Sequence, residues 1–379
     1  MFAALQGILS WLPIGLPAFL FVVTVVVFFH ELGHFAVARA FGVRVETFSI
    51  GFGPAIVRWF DRKGTQWKIS WVPLGGYVKF FGDMSAASTP DREKIEGMSA
   101  AERAQAFPFK PLYQRALVVF AGPAANFILA ILVFATLFCT IGAPVLSTIV
   151  GTVTPHSPAA AAGIRPGDKI LAINGTPVRE FDRLRLLIQQ AKGKPLAVEI
   201  LHRAKTRTLT IVPRTLKSTN FFGDPITTTG LGVAAVEDPS NLIYIRFSPP
   251  TALAMAAGET WARVDLTLTY VGRILVGRSD TSQLHGPIGI MGITKKQASE
   301  GPFGLIWLIA VLSVSIGLIN LFPIPILDGG HLLYYACEAV LGRPLGERAQ
   351  DVGFRLGLAV VLGLFFLATW NDLVRPNLF

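Results

Sequence analysis

Four long apolar segments constrain this sequence more than any other feature. They run over about residues 12–38, 117–141, 303–322 and 356–370. A helix that crosses the hydrocarbon core of a bilayer needs about 20 mostly apolar residues, so we expect the short fourth segment either to be extended by its flanks or to cross with little tilt. Charged residues make up only 15% of the chain, against about 25% in an average soluble domain. The sequence predicts an α-helical polytopic membrane protein with about four transmembrane helices.

The basic residues predict an orientation for these spans. No Lys or Arg precedes Arg39 in the sequence. Within residues 39–68, just after the first span, there are six basic residues: Arg39, Arg44, Arg58, Arg62, Lys63 and Lys68. Because positive loops stay in the cytoplasm, we expect the N-terminus outside and the segment between spans two and three outside as well. Basic loops also account for the net charge of +10, and without a nucleic-acid motif we expect no nucleic-acid partner.

The spans divide the chain into seven predicted regions. These are a first span (1–40), a cytoplasmic β region with a linker (41–114), a second span (115–143), a compact α+β domain (144–215), an extracytoplasmic region with an amphipathic helix (216–300), a third span (301–342) and a fourth span with the C-terminus (343–379).

The cytoplasmic region is predicted to contain a β-hairpin. Apolar and polar residues alternate over 43–48 and 67–71, and residues 61–64 have turn chemistry. Residues 73–78 are unusually apolar for a surface loop. A strand dipping into the membrane explains this, provided that its backbone is buried in protein or lines a cavity.

The outer region contains a second recognisable pattern. The sequence GIRPGDKILAING over 163–175 places turn residues on both sides of a short apolar strand. It resembles the PDZ domain of bacterial proteases, and this resemblance implies that 150–160 forms a peptide-binding edge. PDZ domains bind extended peptides by adding a strand to a sheet. A domain that only restricts access to the membrane region is the alternative, and the residues leave both open.

The motif His30-Glu31-Leu32-Gly33-His34 lies within the first apolar segment. Residues i and i+4 share one face of a helix, so both histidines can bind one metal ion. Neutral imidazoles suit zinc, and a glutamate beside the first ligand can act as general base. Ionisable residues are costly inside a membrane and are usually functional. The motif therefore predicts a zinc site in the first span, with a polar cluster that only pairs helices as the alternative.

A catalytic zinc ion usually has three protein ligands. Asp328 and His331 are the candidates for the third, since both follow the third span in the sequence NLFPIPILDGGH over 320–331. Its prolines and glycines interrupt the helix, and interrupted helices at membrane depth line sites. We expect His156, His202 and His285 to be surface or loop residues. The residues alone do not separate Asp328 from His331.

These motifs together resemble the site-2 protease family, in its bacterial RseP-like branch. The resemblance rests on the HExxH motif, on AGPAAN over 121–126, on NxxPxPxLDGG over 320–330 and on the PDZ pattern. It implies that His30, His34 and Asp328 bind one Zn²⁺ per chain and that Glu31 is the general base. It also implies cleavage within the transmembrane segment of single-span substrates such as a trimmed anti-sigma factor, at the bacterial inner membrane and near its cytoplasmic side.

The resemblance also implies substrate contacts. These are Asn320, Pro323 and Pro325, the re-entrant segment Gly75, Gly76 and Tyr77, and Asn126, which donates a hydrogen bond to the oxyanion or peptide or else joins two helices. The lipid bilayer and a peptide ligand of the PDZ domain are the other implied partners. The alternative function is a catalytically inactive membrane scaffold presenting a PDZ domain, which would need no metal-binding residues.

Overall fold

A computed structural model describes residues 2–82, 97–219, 222, 224–236, 238–281, 284–299 and 301–374. The chain divides into two units. The first unit comprises 1–135 and 253–379, and the second comprises 136–252.

The helices of the described residues differ widely in length. They are α1 (Phe2–Ala40), α2 (Ala100–Arg103), α3 (Leu112–Thr140), α4 (Pro158–Ala161), α5 (Phe181–Gln190), α6 (Pro249–Leu275), α7 (Pro287–Ser299), α8 (Pro302–Asn320), α9 (Asp328–Leu341) and α10 (Glu347–Val374). Short 3-10 helices cover Phe107–Phe109 and Pro239–Asn241.

The strands of the described residues lie mainly in the second unit. They are β1 (Val45–Phe60), β2 (Gln66–Phe80), β3 (Ala143–Leu146), β4 (Val150–Val153), β5 (Lys169–Ile173), β6 (Thr176–Pro177), β7 (Leu196–His202), β8 (Lys205–Ile211), β9 (Arg214–Thr219), β10 (Pro225–Gly230), β11 (Val233–Ala235) and β12 (Leu242–Ile245).

Four helices are long and apolar enough to cross a membrane. Their spans are Pro13–Ala40, Leu112–Thr140, Pro302–Asn320 and Arg348–Val374. The fourth is longer than the apolar run at 356–370 because α10 continues through charged and polar residues at both of its ends. The protein is therefore an α-helical polytopic membrane protein, as predicted.

Strands β1 and β2 form an antiparallel hairpin with an irregular register. Phe48 pairs with both Trp67 and Val78, so residues 45–50 lie between 66–69 and 76–80. Residues 73–78, which were predicted to form a strand that dips into the membrane, are part of strand β2. Residues 83–96 of the predicted linker lie outside the described residues.

Aromatic side chains and one ion pair join this hairpin to α1. Phe48 stacks on Trp67 with ring centroids 4.3 Å apart, and Phe35 of α1 packs against both rings at 5.5 and 5.2 Å. At the turn, Asp61 pairs with Arg39 in the last turn of α1. The hairpin is thus anchored along the same helix that carries the HExxH motif.

A second ion pair joins α3 to α9. Arg115 Nη1 and Nη2 lie 3.2 and 2.5 Å from the two Glu338 carboxylate oxygens, and Nε donates to the Lys110 carbonyl at 3.1 Å. The guanidinium group also lies 4.9 Å from the centroid of the Tyr335 ring. Because both charged side chains are only about one-sixth exposed, at 15% and 16%, each depends on its partner for solvation.

The second unit has a core built on a four-stranded sheet in the order β6-β5-β7-β8. Helix α5 covers it with Phe181, Leu184 and Ile188, which share one face of the helix. The core also contains Leu231 and Ala235, so the unit continues beyond residue 215, the predicted end of the domain. Local turn signals in the sequence could not predict this later part of the core, since its contacts depend on strand pairing between residues far apart in sequence.

The pairing of β4 corrects one expectation. Strand β4 pairs antiparallel with β11, with Val153 opposite Val233 and Thr152 opposite Ala234. On its other side, the Val150 N–H donates to the Asp168 carbonyl at 2.8 Å. The segment 150–160 therefore does not present the free peptide-binding edge that the PDZ resemblance implied.

Removing Glu338 should destabilise the helical unit. Glu338→Ala leaves the Arg115 charge partly buried without a counter-charge, and we expect a loss of roughly 3 kcal/mol, the lower end for breaking a buried pair. Thermal unfolding of the detergent-solubilised chain measures this. Asp351→Ala is the control, because its pair with Arg355 spans 4.0 Å between side chains 78% and 81% exposed. An equal loss of stability in both variants would show that the Arg115–Glu338 pair stabilises the protein no more than an exposed ion pair does.

Candidate active site

Three side chains from two distant segments converge within the helical unit. His30 and His34 come from successive turns of α1, and Asp328 begins α9. Asp328 Oδ2 lies 3.1 Å from His30 Nε2 and 3.5 Å from His34 Nε2, and the two Nε2 atoms are 3.2 Å apart. Within the described part of the chain, these residues form the group able to hold a metal ion. His331 is not one of its members.

The turn between α8 and α9 positions Asp328. Helix α8 ends at Asn320, and the prolines that follow keep the chain out of a helix until Asp328. A Cβ atom on Gly329 would lie 2.3 Å from the Leu321 carbonyl oxygen, and one on Gly330 would lie 2.3 Å from the Ile324 carbonyl oxygen. The paired glycines therefore let α9 fold back closely on the turn.

Helix α3 orients the histidine rings. His34 Nδ1 lies 2.8 Å from the Val118 carbonyl oxygen. A carbonyl only accepts hydrogen bonds, so His34 carries its proton on Nδ1 and presents the lone pair of Nε2 to the cluster. On the next ring, His30 Nδ1 lies 3.3 Å from the side-chain amide of Asn126. Partners of this kind on the outer nitrogen commonly fix the orientation of metal-binding histidines.

Two glycines allow α1 and α3 to approach this closely. A Cβ atom on Gly33 would lie 2.2 Å from the Ala121 carbonyl oxygen, and one on Gly122 would lie 2.2 Å from His34 Nε2. The sequence motifs gave no role in the site to these glycines or to Val118. Small residues within apolar spans were the available signal, since they mark close helix contacts in membranes.

The three convergent residues fit a zinc ion. Two imidazoles and a carboxylate are a common catalytic zinc set, and tetrahedral ligands about 2.0–2.1 Å from zinc lie about 3.3 Å from one another. The observed separations of 3.1–3.5 Å match that spacing. In addition, Asp328 Oδ2 is buried without a hydrogen-bond donor, which a cation at the centre of the group would explain.

Glu31 lies between this cluster and the hairpin. A Cβ atom on Gly76 of β2 would lie 3.2 Å from Glu31 Cγ and 2.7 Å from the Ser49 carbonyl oxygen. The absence of a side chain at Gly76 therefore brings the β2 backbone against Glu31. Next to it, the Tyr77 ring is stacked 6.2 Å from that of Phe52.

The other residues predicted to contact substrate occupy different surroundings. Asn320 ends α8 and is half-buried, and Pro323 is exposed in the following turn. Pro325 packs on α10, where a Cβ atom on Gly357 would lie 3.1 Å from Pro325 Cδ. Gly75 packs against the ring of Phe52 with a φ of 138°. Asn126 has no exposed surface.

The fold and the site together define a class, that of membrane metallopeptidases with an HExxH motif inside a spanning helix. The model of Peptidase family M50 matches residues 18–364. The chain belongs to this family, the site-2 proteases, and is a zinc metalloprotease. The family resemblance predicted from the motifs is confirmed.

Bacterial relatives are similar over nearly the whole chain. A candidate zinc metalloprotease of Agrobacterium fabrum is 44% identical over 94% of each chain. One from Rhizobium meliloti is 43% identical, covering 97% of this chain and 98% of its own. Metalloprotease MmpA of Caulobacter vibrioides is 42% identical over 97% of each chain.

Among solved structures, the PDZ domain of an SdrC-like protein from Listeria monocytogenes is 22% identical and covers 25% of this chain and 90% of that chain. Its TM-score is 0.20, so the similarity is too weak to establish the fold of the second unit.

Adding a methyl group at Gly122 should disrupt the metal site. In Gly122→Ala, the new Cβ would overlap His34 Nε2, and the ring cannot move aside without leaving zinc. We expect zinc affinity to fall by roughly 10–100-fold or more, as for loss of an outer-shell partner. Competition with a chelator of known affinity measures this.

Gly363→Ala is the matched control, because nothing lies within 4 Å of its Cβ position in α10. It should bind zinc as the wild type does. If both alanine variants bind zinc equally well, the close approach of Gly122 to His34 does not matter for the metal.

Proposed function

We propose that this chain hydrolyses a peptide bond within the transmembrane segment of single-span membrane proteins. The observation that carries the proposal is the metal-binding group on a spanning helix, with Glu31 between that group and strand β2. A substrate of the anti-sigma-factor type, already trimmed outside, fits this chemistry because its remaining peptide is a membrane-spanning helix.

The roles of the residues follow from their positions. His30, His34 and Asp328 would hold zinc, which when bound polarises the scissile carbonyl and acidifies a water molecule. Glu31 is adjacent in sequence to His30 and accepts the proton of the attacking water. It then returns the proton to the leaving amine, as a general base that becomes a general acid.

Strand β2 offers a way to hold the substrate. A transmembrane helix keeps its carbonyl groups in hydrogen bonds, so it must unwind before it can be cleaved. Within the described residues, 76–80 pairs on one side with 45–50, and it passes Glu31 at Gly76. An unwound substrate segment could pair with the other edge of 76–80, which is a form of strand addition.

The exposed part of the hairpin supports its insertion into the bilayer. Phe52, Trp59, Phe60 and Trp71 are 43–68% exposed on the hairpin. Such a patch is expected where lipid covers the surface. The basic residues after the first span support an orientation with the hairpin on the cytoplasmic side of the bacterial inner membrane and the second unit outside.

The second unit contains a groove suited to an extended peptide. The groove has a volume of about 540 Å³ and is lined by α5, by the hairpin of β9 and β10, and by residues 230–235. We propose that this unit is a PDZ domain and that peptide adds along β11, whose partner β4 closes the opposite side. The groove also suits the scaffold alternative, which differs in needing no metal.

The Glu31→Gln substitution distinguishes the protease from the inactive scaffold. The amide cannot accept the proton, so we expect cleavage of a tagged single-span substrate to fall by roughly 10²–10⁴-fold while zinc content is unchanged. Asp351→Asn is the control, since Asp351 lies on α10 in an exposed pair with Arg355 at 4.0 Å, and this variant should cleave the substrate at the wild-type rate. Cleavage by the Glu31 variant at the wild-type rate, or a zinc-loaded wild type that does not cleave, would favour the scaffold.

A pair of substitutions tests the third ligand. Asp328→Ala should weaken zinc binding by more than about 100-fold, because loss of an outer-shell partner alone costs roughly 10–100-fold. His331→Ala should retain zinc, since His331 lies outside the convergent group. Zinc content after dialysis distinguishes the two variants, and the reverse pattern would assign the metal to His331.

A further inference from the structure

Asn126 occupies a fully buried position on α3. Its Nδ2 atom lies 3.3 Å from His30 Nδ1, and its Oδ1 atom is buried without a hydrogen-bond donor. The backbone of this residue is also fixed, because Ser313 Oγ donates to the Asn126 backbone carbonyl at 2.8 Å. Gly317 packs against it, since a Cβ atom there would lie 3.1 Å from Asn126 Cβ. The side chain is therefore fixed in place beside the His30 ring.

The chemistry of a zinc ligand decides which amide atom faces His30. If His30 binds zinc through Nε2, its single proton is on Nδ1, and Nδ1 needs an acceptor. The NH₂ group of asparagine only donates, so it cannot satisfy this proton. Amide oxygen and nitrogen have nearly the same shape, and their assignment follows from the hydrogen-bond network. Because no donor occupies Oδ1, exchanging the two atoms breaks no bond to the oxygen.

We propose that Asn126 is a positioning residue whose side-chain oxygen accepts the Nδ1 proton of His30 and holds Nε2 toward zinc. This proposal rests on the zinc site of the proposed function. It gives each histidine an acceptor for its Nδ1 proton, because the Val118 carbonyl already accepts the Nδ1 proton of His34. Val118, Gly122 and Asn126 are spaced four residues apart, so one stripe of α3 faces the two histidines of α1.

Two variants distinguish positioning from helix packing. Asn126→Leu keeps a similar volume but removes the acceptor, whereas Asn126→Asp keeps an acceptor in either orientation of the side chain. If Asn126 positions His30, the leucine variant should bind zinc roughly 10–100-fold more weakly, and the aspartate variant should stay closer to the wild type. If Asn126 only packs two helices, the order reverses, because a buried carboxylate is worse for packing than leucine.

The experiment measures zinc affinity of the full chain in detergent by chelator competition, alongside the thermal stability of the metal-free protein. Thr260→Val is the control, because it also replaces a buried polar residue with an apolar one and lies on α6. Nitrogen NMR of the metal-free, histidine-labelled protein supplies a second readout, since the wild type should hold His30 in the Nδ1-protonated tautomer and the leucine variant should not.

Wild-type zinc affinity in the leucine variant, or weaker binding by the aspartate variant than by the leucine variant, would overturn the proposal. Failure of the proposed function would give a different pattern of results. In that case the wild type binds zinc but does not cleave a membrane peptide, while the order of zinc affinities among the Asn126 variants still reports on His30.

Discussion

Three candidate metal-binding atoms within 3.5 Å of one another, inside a bundle of apolar helices, are the constraint on which the rest of the structure depends. Two imidazole lone pairs and a carboxylate repel one another when no cation lies between them, and the surrounding hydrocarbon offers little screening. Firmly held helices and a cation that balances the charge therefore both stabilise the group. The packing of the helices around the group holds its three side chains together.

Helix α3 provides most of this support. It contacts α1 through Gly33 and Gly122, and its Val118 carbonyl fixes the tautomer of His34. One turn before Val118, Arg115 pairs with Glu338 at the other end of α9 from Asp328. One helix thus contacts the two segments that supply the three candidate ligands. This explains how residues far apart in sequence come within 3.5 Å of one another.

Local periodicity predicted part of this structure well. The i, i+4 spacing of His30 and His34 indicated a shared helix face, and the apolar runs indicated the four spans. The choice between Asp328 and His331 was open from the residues, because it depends on the fold of the turn after α8. The glycine contacts of Gly122 and Gly329 were also missed, since their meaning lies in the backbone of another helix or turn.

Long-range pairing accounts for the errors in the second unit. The end at residue 215 came from local strand patterns, whereas β11 joins the core by pairing with β4. That pairing also closes the edge expected at 150–160, whereas the groove of this unit lies between α5 and β11. A strand of three residues, Val233–Ala235, gives almost no signal of its own in the sequence.

X-ray absorption at the zinc edge of the purified, zinc-loaded chain tests the central claim most directly. The structure predicts one zinc ion per chain with nitrogen and oxygen ligands at about 2.0–2.1 Å, including scattering from two imidazole rings. A sulfur ligand at about 2.3 Å, or a shell without imidazoles, would contradict the site formed by His30, His34 and Asp328.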